Sequence, residues 1–201
     1  MTSLLFATSN SLKFTTAAEV CRAHNIALEA AAIELLETQS DSGETIARFK
    51  AAAAFKELQT ALVVSDDSWV IPGLNGFPGP YMKYMNEWLT PADFLRLTAS
   101  LKDRRIILRQ EVIYQDAVEQ VAFAVDTPCL LLQEIRGTSK YSHLTITSLD
   151  GQQSLAEIIA TGGSGLAGTR SVWHELCEWL VDRTAADSIQ NSATARPFKP
   201  S

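Results

Sequence analysis

The chain has 201 residues and a mass of 22.0 kDa, with 46% hydrophobic and 20% charged side chains. That is the composition of a folded domain, or of one domain with two lobes, and it excludes wholesale disorder, collagen-like and coiled-coil chains. Seventeen Lys+Arg against 23 Asp+Glu leave a formal charge of −6, so neither nucleic acid nor an anionic membrane is an expected partner, and any bound phosphate needs a few placed cations.

No stretch approaches the roughly eighteen apolar residues of a membrane span. The start, MTSLLFATSNSLKF, has neither a basic head nor a long apolar run, so no secretory signal is expected. Cys21, Cys129 and Cys177 are scattered, without metal-ligand spacing or the even count of a disulfide framework. A cytoplasmic, reduced chain is the expectation.

In chain order, the apolar run 3–7 reads as a buried strand entering a polar loop. Asn10 caps a helix from Ser11 with Phe14, Ala17, Ala18 and Cys21 inward, and Asn25 closes it. Asp41 and Glu44 mark the start of a second helix, DSGETIARFKAAAAFKEL, with Ile46, Phe49 and Ala53 on its inner face. Residues 62–65 (LVVS) form a strand that stops at Asp66-Asp67. The prolines and glycines of 72–80 fix a loop, and Thr90-Pro91-x-Asp93 opens another helix. Residues 105–115 alternate, with Ile106, Leu108, Val112 and Tyr114 on one face and Ile107, Arg109, Glu111 and Ile113 on the other. They predict a strand antiparallel to 118–125, and 130–137 adds one more. A last helix, 169–183, packs Val172, Leu176 and Trp179 or Leu180 inward. The expected class is α/β with a mixed sheet: one unit over 1–183, then a flexible polar tail over 184–201.

Three polar clusters stand at element junctions, where open α/β sheets place ligands. Thr8-Ser9-Asn10 with Lys13 fits an anion site at a helix start and equally fits an ordinary cap beside a solvated lysine. Asp66-Asp67-Ser68 follows an apolar strand. Two adjacent carboxylates there repel unless solvated or neutralised, and a hard divalent ion bound through oxygen is the usual remedy, Mg²⁺ beside phosphates. Glu34, Glu37 and Gln39 precede the helix carrying Lys50; Glu37 could complete a metal site and Lys50 could meet a phosphate, or both are surface charges.

Gly163-Ser-Gly-Leu-Ala-Gly168 matches G-x-G-x-x-G, but Thr169-Arg170 follows where a Walker loop needs Lys and then Ser or Thr. No second strand remains to complete a dinucleotide-binding half. A flexible loop is the better reading, and its place relative to a site stays open. His24, His143 and His174 are too dispersed for a triad or a zinc site, and Trp173 and Trp179 read as core.

In order, FATSNSLKF, LLETQSDSGETIARFKAAAAF and VVSDDSWVIPGLNGFPGPYMKY resemble the inosine triphosphate pyrophosphatase family, from about residue 4 to 125. The resemblance implies an elongated two-lobed α/β fold with a mixed sheet flanked by helices, an active cleft between the lobes, and a homodimer. It implies Mg²⁺-dependent hydrolysis of a nucleoside triphosphate to monophosphate and pyrophosphate. By that resemblance Thr8, Ser9, Asn10 and Lys13 bind the triphosphate, with Lys13 also counted among the catalytic groups. Glu37, Asp66 and Asp67 serve the metal, and Asp67 is the base that activates water. Lys50, Ser68, Lys83 and Arg170 complete the substrate contacts.

The C-terminal third departs from the family pattern. Where family members carry an aromatic-Asp-Pro segment holding the purine, this chain reads SKYSHLTITSLDG. SLAEI (154–158) matches, but IATGGSGLAG replaces the Glu-Lys-Asn stretch, and of Ser-His-Arg only Arg170 remains. The expectation is therefore an active pyrophosphatase with altered base preference. Two alternatives stay open: a hydrolase of another nucleotide class, and a non-catalytic nucleotide-binding protein that retains the fold.

Overall fold

A computed structural model of the chain describes residues 2–33, 35, 38–163 and 170–194, with backbone only for Thr2 and residues 186–194. Strand β1 (Thr2–Ala7) leads into α1 (Ser11–Ala23), which starts where Asn10 Oδ1 accepts from Leu12 N and Lys13 N. Asn25, at φ 59°, turns the chain into β2 (Ile26–Ala31), a strand absent from the sequence reading. Helix α2 (Gly43–Leu58) is capped by Ser42, not by Asp41. Its buried side is Ile46, Ala47, Ala51 and Ala54, whereas Phe49 is 60% exposed. The expected inner face is thus rotated. Small alanines let the helix lie close on the sheet, and Phe49 does not fit that gap.

Strand β3 (Leu62–Val70) does not stop at the acids but runs through them. The 72–80 loop follows, with a short 3₁₀ turn at Pro72–Leu74, left-handed backbone at Asn75, Gly76 and Gly79, and the two-residue strand β4 (Pro78–Gly79). Helices α3 (Met82–Trp88) and α4 (Pro91–Thr98) come next, α4 with the anticipated Thr90–Asp93 capping box. The hairpin of β5 (Arg105–Gln115) and β6 (Gln120–Leu131) forms as expected, but residues 132–137 are not a strand. A 3₁₀ turn at Ser142–Thr145 and β7 (Thr147–Ser148) precede α5 (Leu155–Ala160) and α6 (Val172–Thr194). Helix α6 thus continues past Arg183, where the tail was expected to begin.

Among the described residues the strands form one mixed seven-stranded sheet, in the order β2-β1-β3-β5-β6-β7 with β4 on β3. β1 is parallel to β2 and β3, and the remaining pairs are antiparallel. The long strands β3, β5 and β6 pass through two separate cores, which is what makes the molecule two-lobed. In the first lobe, α1 and α6 cover one face over Phe6, Val63, Val112 and Tyr114, and α2 covers the other over Ala7, Leu62, Val64 and Ile113. Trp173 of α6 meets the Phe6 ring at 4.9 Å, and the free thiols of Cys21 and Cys177 touch at 3.6 Å between α1 and α6. In the second lobe Trp69, Ile71, Ile106, Leu108 and Cys129 meet Met82, Phe94, Leu144 and Leu155. Each such buried side chain contributes about 1.5–3 kcal/mol of burial free energy. Between Val64 of one core and Trp69 of the other lie Asp66 and Asp67. The changeover point of the two lobes is therefore where the sheet carries its charge.

Candidate active site

Because β3 stays extended through the acid pair, its side chains alternate between the two faces of the sheet. Asp66 shares the α2 face with Leu62 and Val64, and Asp67 shares the α1 face with Val63. Each acid meets a lysine from the helix on its own side. Lys50 Nζ of α2 lies 3.1 Å from Asp66 Oδ1, and Lys13 Nζ of α1 lies 3.1 Å from Asp67 Oδ2. The two pairs differ in solvation. Lys50 and Asp66 are mostly buried, whereas Lys13 and Asp67 keep more than a quarter of their side-chain surface in water. Burial raises the Asp66 carboxyl above the usual carboxylate range; Lys50 and then Lys13 oppose this, and Asp67 adds to it.

The loop ahead of α1 supplies the next groups. Asn10 N donates to Thr8 Oγ1 at 3.1 Å, and Ser9 and Asn10 face solvent beside the first turn that carries Lys13. Asn10 is thus a helix cap, and the start of α1 points its positive end toward the Asp67 side of the sheet. Ser68 is buried behind Asp66 on the α2 face. The structure therefore brings together Lys13, Lys50, Asp66, Asp67 and Ser68, with Thr8–Asn10 alongside Lys13. Lys83 lies on α3, its Nζ 5.8 Å from the Tyr84 ring centroid. Arg170 is exposed and engaged with Glu175 (2.7 Å) and Glu178 (2.5 Å); among the described residues no contact joins it to the acids. Glu34, Glu37, Thr169 and the glycine run 164–168 lie outside the described residues.

One acidic group escaped the sequence reading. Glu111 of β5 pairs with Asp66 across the β3–β5 ladder, so the two carboxylates share the α2 face. It is only 5% exposed and its Oε2 has no hydrogen-bond partner. Burial pushes its carboxyl up to about 7; Arg109 opposes this, and the charges of Asp66, Glu44 and Asp126 add to it. The signal lay in its neighbour: Ile113 on the same face belongs to the core. Gly43 at the start of α2 is the other half of that signal. A Cβ there would meet Glu111 Oε2 at 2.1 Å and Ser68 Oγ at 2.6 Å, so only glycine lets the helix approach so closely.

The segment that replaces the expected purine-holding motif is part of the second core. His143 Nδ1 bonds Asn86 Oδ1 at 2.9 Å, and its ring packs edge-on against Trp69 at 4.8 Å between centroids. Burial holds its pKa down to about 3. An unfolded histidine takes up a proton near pH 6.5 and the folded one does not, so stability is lost as pH falls from about 6.5 toward 3. Between pH 7 and 5 this group should remove about 2 kcal/mol. Urea unfolding of wild type and His143→Leu at both pH values checks this; the variant's loss should be smaller by that amount. A separate groove of about 560 Å³ beside Arg104, Glu134 and Arg136 contains none of the acid–lysine groups. Among the described residues no three His, Cys, Asp or Glu side chains are gathered around one point.

The model of the Ham1 family matches residues 4–160, which takes in the acid–lysine cluster and every element but α6. The chain belongs to the Ham1 family. Its relatives within that family include a dITP/XTP pyrophosphatase of Hyperthermus butylicus, 25% identical over 88% of this chain and 94% of the relative. Another dITP/XTP pyrophosphatase, from Methanopyrus kandleri, is 27% identical over 90% of this chain and 98% of the relative. The HAM1 protein of Coxiella burnetii shares the fold, with a TM-score of 0.74 over 90% of this chain and 100% of the other, at 19% identity. The family read from the sequence motifs and the mixed α/β sheet are thus borne out for this Ham1 chain. No helix among its described residues is long and apolar enough to cross a membrane.

Proposed function

We propose that this Ham1 chain is a cytoplasmic, Mg²⁺-dependent nucleoside triphosphate pyrophosphatase. It hydrolyses non-canonical nucleoside triphosphates to monophosphate and pyrophosphate. The observation that carries the reading is the pair of lysine-matched acids at the changeover between lobes, Lys13–Asp67 on one face and Lys50–Asp66 on the other. Relatives named dITP/XTP pyrophosphatase support the substrate class.

The division of labour follows from the alternation of β3. Asp67, with 29% of its side-chain surface in water, accepts the proton of a water attacking the α-phosphorus. Lys13 then exchanges its bond with Asp67 for phosphate oxygens, helped by the positive start of α1 behind Thr8, Ser9 and Asn10. Lys83 and Arg170 remain proposed substrate contacts from the second lobe and from the start of α6. Lys50 opposes the rise that burial imposes on the Asp66 carboxyl.

The residues present suit a hard cation. Beside the Lys50 ammonium, the candidate donors on the α2 face are oxygens, Asp66 with the orphaned Glu111 Oε2 and Ser68 Oγ, and Glu37 is the further candidate from the sequence. The adjacent acids point to opposite faces, so Asp66 is the metal ligand in this reading, while Asp67, also counted for the metal from sequence, serves the water. When bound, Mg²⁺ supplies charge neutralisation of the triphosphate.

Base preference is proposed to differ from that of inosine-directed relatives, because the 142–145 turn buries His143 in the core and carries no Asp-Pro. A homodimer is proposed as well, supported by the exposed aromatics Phe77, Tyr81 and Trp88, the last 71% exposed. Pyrophosphate release across ITP, dITP, XTP, dUTP and the canonical triphosphates, with and without Mg²⁺, tests the whole. The expected result is Mg²⁺-dependent turnover of at least one non-canonical triphosphate above the canonical ones. Nucleotide binding without turnover of any would favour a non-catalytic binding protein.

A further inference from the structure

We propose that Glu111 is a ligand of the divalent cation, sharing it with Asp66 across the β3–β5 ladder, with Ser68 Oγ as a neutral oxygen beside them. This rests on the metal-dependent reading above and adds to it a residue that neither the acid-pair motif nor the loop before α2 contains.

The first ground is the register. Asp66 and Glu111 are directly opposed on neighbouring antiparallel strands. That places their Cβ atoms about 4.5–5.5 Å apart on one face. Two carboxylates of these lengths can converge on one ion.

The second ground is charge. Like charges directly opposite on a ladder are destabilising, and buried carboxylates more so. The cations nearby are already engaged. Arg109 bonds Asp126 at 2.9 Å, and Arg48 bonds Glu44 at 2.8 Å. Lys50 is placed on Asp66. Among the described residues one lysine faces two buried carboxylates, an excess of negative charge on the α2 face that a divalent cation reverses.

The third ground is independent of charge. Glu111 Oε2 and Ser68 Oγ are both buried and both without a hydrogen-bond partner, at 5% and 3% residue exposure. They converge over the Cα of Gly43. The start of α2 does not satisfy them: Thr45 N is spent on Ser42 Oγ, and Ser42 N on Ser40 Oγ. A carboxylate acting as a helix cap would be bonded there, and Glu111 is not. Orphaned buried oxygens in a native fold call for a missing partner. Oxygen donors alone select a hard cation.

The test measures Mn²⁺ alone binding to the nucleotide-free chain, by electron paramagnetic resonance. It is paired with thermal unfolding in EDTA and in Mn²⁺, for wild type, Glu111→Gln and Asp66→Asn. The inference predicts that wild type binds Mn²⁺ and that Glu111→Gln weakens this binding at least tenfold. The same variant should lose most of the Mn²⁺-induced rise in Tm, while its Tm in EDTA equals or exceeds that of wild type, since a buried charge has been removed. A purely structural acid would give the reverse pattern: a lowered Tm in EDTA with Mn²⁺ affinity unchanged. Wild-type Mn²⁺ affinity in Glu111→Gln, with binding lost in Asp66→Asn, overturns the role of Glu111 and leaves the metal reading standing. No Mn²⁺ binding by wild type overturns both. If Glu111→Gln does not fold, Glu111→Asp, still charged but one methylene short, is judged by the same two readouts.

Discussion

Asp67→Asn is expected to lower kcat by about 10²–10⁴-fold at saturating Mg²⁺ while leaving the fold and nucleotide affinity nearly unchanged. The substitution keeps the shape of the side chain and removes only its capacity to take a proton from water. Its structural cost is small because the Lys13–Asp67 pair is partly exposed, and such pairs contribute about 0–1 kcal/mol. Freed from Asp67, Lys13 remains available to phosphate, so the Kd for a triphosphate should hold or fall slightly. Steady-state kinetics with equilibrium binding separates these effects. A variant with unchanged kcat would remove Asp67 from the chemistry.

Lys50→Met is the second large effect, and it falls on stability. Methionine fills much of the same volume but leaves Asp66 buried without its cation, on a face that already holds Glu111. Breaking one side of a buried pair costs about 3–5 kcal/mol, and the solvent that still reaches these side chains reduces this to about 2–4 kcal/mol. In the double variant Lys50→Met/Asp66→Asn most of that loss should return, because the stranded charge has gone. Urea unfolding of the four members of this cycle at neutral pH measures the coupling directly. Independent, additive losses would mean that the two groups are held by other contacts.

Local chemistry was legible in the sequence wherever the deciding residues are close together in the chain. Asn10 capping α1, the Thr90–Asp93 box and the alternation of 105–115 each depend on neighbours within a few residues, and each formed as expected. Lys13 and Asp67, and Lys50 and Asp66, are far apart in the chain, and the sheet and its two flanking helices set them side by side. What the sequence did not disclose depends on non-local pairing. The length of β3 is set by β5, which supplies backbone partners straight through Asp66 and Asp67, so a polar stretch stays extended. The burial of Glu111 is set by α2 lying close over it, and that closeness is set by Gly43 and a row of alanines. Phe49 misled for the same reason: periodicity put it on the inner face, but the gap above the sheet admits only small side chains. β2 was missed because IALEAA is rich in alanine, a helix former, with no polar–apolar alternation, and its strand state is set by pairing with β1 at the sheet edge.

The central claim concerns where the triphosphate is cut, and the products of dITP hydrolysis in ¹⁸O-labelled water test it most directly. A base at Asp67 aimed at the α-phosphorus predicts dIMP and pyrophosphate in equal amounts, with the label in dIMP alone. Release of dIDP and inorganic phosphate, or label in the pyrophosphate, would contradict the account.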